Sequence, residues 1–126
     1  MIDNQGKSND NRDMDREVTK GFQIRIFNKT LRVCQGDLKA AAIFSALIDM
    51  RDLYFKPYGK NEVKASIQEI REHLGMSVSK PTVIKVLKDL SKAGLITRES
   101  SKPGKGTFTI HFDKIIEQDR IYRSKA

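Results

Sequence analysis

The chain has 126 residues, a net charge of +8 at pH 7 and one cysteine, with an isoelectric point near 9.7. That length holds one domain and a tail, with a core large enough to need no covalent staple. The lone Cys34 excludes an internal disulfide and a cysteine-based metal cluster, and no apolar run approaches the ~18 residues of a membrane span.

Residues 1–21 hold four basic and five acidic residues, so this stretch carries −1 and the remaining chain +9, which together make the net +8. The stretch is polar, rich in Asp and Asn, and is expected to be a disordered tail. It has no apolar core of the kind a signal peptide needs, and the expected location is cytoplasmic. A domain as basic as the remainder attracts polyanions, nucleic acid first among them.

Structure is expected to open on a short strand, Phe22 to Ile26, where apolar and polar residues alternate. A long helix follows from Asp37, its cap, to Phe55. Leu38, Ala41, Phe44, Leu47, Ile48 and Leu53 occupy most of its faces, which predicts a central helix buried on several sides. The residues "KPYGKN", 56–61, end it. Ser66 and Glu69 form an S-x-x-E capping box for a second helix. Ile67, Ile70 and Leu74 make its apolar stripe, and Gly75 stops it.

A third helix is capped by Ser79 or Lys80, with Pro81 in its first turn, where a missing amide costs nothing. Val83, Val86, Leu87 and Leu90 share one face; Pro81, Lys85, Lys88 and Lys92 share the other. Gly94 ends it. Two alternating runs, Leu95 to Arg98 and Thr107 to Phe112, are joined by "SSKPGKG" and read as a hairpin. Asp113 is expected to cap a last helix carrying Ile115, Ile116 and Tyr122.

Two helices around a short glycine-containing turn make a helix-turn-helix, and the following hairpin makes it winged. The expected fold is therefore mainly α with a small β-hairpin (α+β), a winged helix-turn-helix with an opening strand and a C-terminal helix. The expected division is a tail at 1–21, the winged domain at 22–112, and a C-terminal helix at 113–126 that serves as a dimerisation segment. In this layout the N-terminal residues of the third helix reach base edges in the major groove. The lysine- and glycine-rich tip of the hairpin is expected to flank that helix and meet the neighbouring phosphate backbone or the minor groove.

Residues 74–110, "LGMSVSKPTVIKVLKDLSKAGLITRESSKPGKGTFTI", resemble the winged helix-turn-helix of bacterial regulators, with a wing like that of gluconate-repressor-type proteins. Upstream, "FQIRIFNKTL" and "GDLKAAAIFSALIDMRDLYF" are similar to winged-helix domains of phage and plasmid replication proteins. The resemblance implies double-stranded DNA as partner. It puts Ser79, Lys80, Thr82 and Lys85 at the DNA and Lys102, Lys105 and Gly106 in the wing. Ser77 joins the first group by its place at the helix start. Transcription regulation is the leading expectation, DNA replication initiation the alternative, and a winged-helix protein-interaction module the second alternative. A homodimer is expected through the first long helix and the C-terminal segment, on the apolar surface of Ala41, Phe44, Ile48, Tyr54, Ile115, Ile116 and Tyr122.

Enzyme signatures do not stand out, and no enzyme, cofactor, metal or small-molecule ligand is expected. "GKS" at 6–8 would need a glycine at position 1 to make a phosphate loop, and that residue is Met1. Gly104 and Gly106 lead into a strand, not a helix, so they make no dinucleotide fingerprint. His73 and His111 have no partner at metal-ligand spacing. His73 is expected at the end of the second helix, where a cation suits the dipole, and His111 on an exposed strand position.

Overall fold

The computed structural model describes Met14, residues 25–102 and residues 105–125. Most of the expected tail, 1–21, and the first part of the expected opening strand, 22–24, lie outside the described residues. Where that strand should finish, the chain is not a strand. Arg25 to Phe27 carry no ladder, and a short helix α1 begins at once, Asn28–Val33.

The reason lies in side chains of the next helix. The Arg25 backbone N–H and guanidinium donate to the Asp49 carboxylate, at 3.3, 3.1 and 2.8 Å. The Phe27 N–H donates to Ser45 Oγ at 3.4 Å, and Ser45 Oγ is 2.8 Å from Thr30 Oγ1. These backbone groups find partners on a helix and need no strand neighbour.

That helix, α2 (Leu38–Tyr54), starts where expected: the Asp37 side chain accepts from the Ala40 N–H. Nine consecutive or near-consecutive residues from Ala41 to Met50 are buried, on all sides of the helix. Only Ser45 and Asp49 among them are polar or charged, and both have the partners just named, as burial of such groups requires. Asp37 also stands beside Cys34, whose thiol is pushed up to about 11, first by burial and then by that carboxylate. The thiol is therefore protonated at neutral pH and a weak nucleophile.

A 3₁₀ turn, Lys56–Tyr58, closes on Gly59 at φ +71° and leads to a strand that the sequence pattern does not announce, β1 (Glu62–Ala65). Its four residues alternate, with Val63 and Ala65 buried. Helix α3 (Ile67–His73) has both bonds of the Ser66–Glu69 capping box. Helix α4 (Lys80–Lys92) is capped by Ser79, whose hydroxyl accepts from the Thr82 N–H. Strands β2 (Ile96–Lys102) and β3 (Lys105–Ile110) follow, and helix α5 (Phe112–Ser124) completes the chain.

The hairpin is longer at its tip and shorter at its base than expected. The strands zip to a Lys102–Lys105 pair, with a register irregularity between Glu99 and Lys102, the signature of a β-bulge. His111 and Phe112 have left the strand. His111 is the N-cap of α5 and makes no side-chain cap, so the expected capping by Asp113 does not occur; Asp113 sits in the first turn. His111 is half-buried and not on an exposed strand position; its Nε2 lies 2.6 Å from Thr97 Oγ1.

The sheet order is β1-β3-β2, antiparallel throughout. The result is an α+β fold in a winged-helix layout, and its third strand is inserted between α2 and α3. One apolar core joins α2, Val63 and Ala65 of β1, the α3 and α4 seams, and Phe108 and Ile110 of β3. Ile115 of α5 belongs to it too.

Helix α5 is also held to α1 by a charge pair. Arg32 Nε is 2.6 Å and its NH2 3.3 Å from the two oxygens of Asp119, which is 3% exposed. The Arg32 guanidinium holds the Asp119 carboxyl below its ordinary range, against the opposing effect of burial. The same bond raises the Arg32 value. A carboxyl depressed in the folded state stabilises above its unfolded value, near ~3.9, and that stabilisation is lost as pH falls through the lower folded value. Asp119→Asn is therefore expected to lower the melting temperature at pH 7. The gap from wild type should close as pH falls below about 4. Melting curves separated by the same interval at every pH would show that the pair is not its source.

Candidate nucleic-acid interface

The site is built from the start of α4 and the hairpin. Helix α4 divides along its length: Val83, Val86, Leu87 and Leu90 are buried, and Lys80, Pro81, Lys85, Lys88 and Lys92 are exposed. The apolar seam fixes the rotation of the helix, and the lysine side follows from it.

The turn that presents α4 has an unusual backbone. Gly75 and Met76 both take left-handed conformations, at φ +65° and +59°. For Met76 this costs about 1–2 kcal/mol. Arg71 holds the turn from the preceding helix, its Nε donating to the Val78 carbonyl at 2.9 Å. Neither residue stands out in the sequence, because nothing local marks an arginine as a turn clamp or a methionine as left-handed.

The expected contact residues fall into two groups. Ser77, Ser79, Lys80 and Thr82 lie together at the α4 entrance. Ser77 Oγ donates to the Leu74 carbonyl at 2.8 Å, and Ser79 Oγ is 2.8 Å from Thr82 Oγ1. Both serines therefore hold the turn and cap. Lys80 is exposed. Lys85, one turn further, has its Nζ 3.2 Å from Asp89.

The second group sits at the hairpin. Lys102 is placed by its backbone, opposite Lys105. Lys105 Nζ reaches Glu69 of α3 at 3.5 Å. Glu69 is held below the ordinary carboxyl range, first by the Ser66 backbone N–H and also by Lys105. Gly106 is buried, opposite Ala65 of β1. A Cβ there would meet Arg98 Nε and Phe108 Cζ at 3.4 Å each. The missing side chain leaves room for these two, whose guanidinium and ring lie 5.5 Å apart. Among the described residues, no hydrogen bond or ion pair joins the α4 entrance to the hairpin group.

His73 ends α3 as expected. Its Nε2 is 3.9 Å from Asp49 Oδ2 and has no hydrogen-bond partner among the described residues. No group of His, Cys, Asp and Glu among the described residues could hold a metal ion. No helix among them is long and apolar enough to cross a membrane.

Of the seven side chains expected to form a dimer surface, Ala41, Phe44, Ile48 and Ile115 are buried within the chain itself. Tyr54, Ile116 and Tyr122 remain exposed, with Leu53 and Ile121 beside them in sequence. The four are consumed because β1, α4 and α5 all need the α2 surface or its neighbours.

No protein-family model and no curated protein matches the chain.

Proposed function

We propose that the chain binds double-stranded DNA sequence-specifically and acts as a transcription regulator, with α4 as the recognition helix and the β2–β3 hairpin as the wing. The observation that carries this reading is the split of α4. A buried seam turns an exposed row of four lysines outward, in a winged-helix layout whose residues 22–126 carry +9. A row of cations beside a lysine-bearing wing supports attraction to the phosphates of a duplex. On this reading Ser79 and Thr82, at the start of α4, are the hydroxyl-bearing residues nearest the base edges.

The reading includes a homodimer, because one recognition helix covers only a few base pairs and a two-fold pair doubles the site. Tyr122 and Ile121 on α5 and Leu53 and Tyr54 on α2 are among the apolar side chains left exposed for the second copy.

The test is selection from random duplexes, followed by titration of selected and scrambled duplexes at several salt concentrations. Expected are two chains per selected duplex, a preference over scrambled DNA of about 10³ or more, and a log–log salt slope of roughly −0.9 per phosphate contacted. Equal affinity for every duplex would remove sequence recognition. No binding at low salt would remove DNA altogether and favour a protein partner.

A further inference from the structure

We propose that the cleft between α1, α2 and α5 binds an amphiphilic organic anion, a small carboxylate or sulfonate with an apolar body. The proposal goes beyond DNA recognition and does not rest on it. The cleft has a volume of about 610 Å³, within the ~300–1,000 Å³ typical of small-ligand sites. Its apolar wall is made by Phe27, Ile48, Phe112, Ile115 and Ile116. Ile116 is 51% exposed there, and a ligand's apolar body would cover it.

The polar lining is strongly one-signed. Lys29, Arg32, Arg51 and Lys56 contribute cations against the single carboxylate of Asp52. Asp52 is already paired to Arg51 at 2.7 Å. The two arginines are fixed parts of the wall. Arg32 is bound to Asp119. Arg51 donates to Asn61 Oδ1 at 2.6 Å and the Lys60 carbonyl at 3.1 Å, and lies over the Phe112 ring at 4.8 Å. Lys29 and Lys56 are exposed and have no ion pair among the described residues. They are the cations free to close on an anionic head.

The shape argues against phosphate as the occupant. A nucleic-acid backbone uses a row of cations and gains nothing from a concave apolar floor. An amphiphile uses both parts: its body displaces water from Phe27 and Phe112, and its head meets Lys29 and Lys56. The wall joins the neighbouring helices α1 and α2 to α5, more than fifty residues further along the chain, so no local motif announces it.

The test uses the full chain and 1-anilinonaphthalene-8-sulfonate as a fluorescent probe, with octanoate, octanol and inorganic phosphate as competitors. Expected is one saturable site per chain, displaced by octanoate but not by equal concentrations of octanol or phosphate. Lys29→Gln with Lys56→Gln should weaken probe binding about tenfold. Lys39→Gln with Lys64→Gln removes the same charge from two exposed lysines outside the cleft, and should leave it unchanged. Chemical-shift changes on octanoate addition should centre on Phe27, Phe112, Ile115 and Ile116. Octanol competing as well as octanoate, equal loss in both double variants, unsaturable binding, or shifts centred elsewhere would each overturn the proposal.

Discussion

Phe108→Ala is expected to cost about 3–5 kcal/mol of folding stability. Phe108 is 0% exposed, and β3 presents it between Val63 of β1 and Arg98 of β2. It is among the largest fully buried side chains of the chain and joins the three strands to the helical core. Truncation removes the ring's transfer energy and leaves a cavity that a small antiparallel sheet cannot fill by collapse. It also takes the support from under the Arg98 guanidinium. A domain of this size has ~5–15 kcal/mol in total, so a large share of it would go. At about 4–8 °C per kcal/mol, the melting temperature should fall by roughly 12 °C or more. Thermal and urea unfolding of the variant measure this. A shift of only a few degrees would mean that the hairpin is not bound into the core as described.

The elements legible in the sequence are those with local chemistry at their ends. Asp37, Ser66 with Glu69, and Ser79 each announce a helix start, because a cap joins residues two or three apart. The α4 seam is legible because its period repeats over three turns. By contrast, Glu62–Ala65 is only four residues of alternation, and its existence depends on β3, more than forty residues away. Asn28–Val33 is six residues without a side-chain cap, and its position depends on Ser45 and Asp49 on another helix. The alternation at Phe22 to Ile26 resembles a strand for the same reason: period two cannot say where the backbone bonds go.

The candidate interface divides in the same way. The i,i+4 pair of Lys85 and Asp89 follows from helix geometry. The Lys105–Glu69 pair joins the wing to α3 through a fold-dependent register, and no spacing in the sequence predicts it. The burial of Gly106 is likewise a property of the sheet. Its neighbourhood in sequence, two lysines and two glycines, suggests only a tip.

The two lysine–carboxylate pairs make the DNA reading open to a sharp test. Lys102→Ala with Lys105→Ala is expected to weaken binding to every duplex about equally and to reduce the salt slope by roughly two per subunit. Thr82→Ala or Lys85→Ala should instead erode the preference for the selected site, by about 1–3 kcal/mol for each base edge no longer read. Removing the carboxylates should act in the opposite direction. Both pairs are exposed and span 3.2 and 3.5 Å, and such pairs hold their lysines weakly, by about 0.2–1 kcal/mol. On the DNA reading the duplex can therefore take over each lysine, but Asp89 and Glu69 would remain close by and repel it. Asp89→Asn should tighten binding to selected and scrambled duplexes alike and leave stability nearly unchanged. Glu69→Gln keeps a capping-box residue, so it separates the charge from the helix cap. The titrations are the same for wild type and all variants, at several salt concentrations. If the hairpin pair of alanines leaves both affinity and slope at wild-type values, and Asp89→Asn changes neither, these lysines are ordinary solvated side chains and α4 does not face DNA.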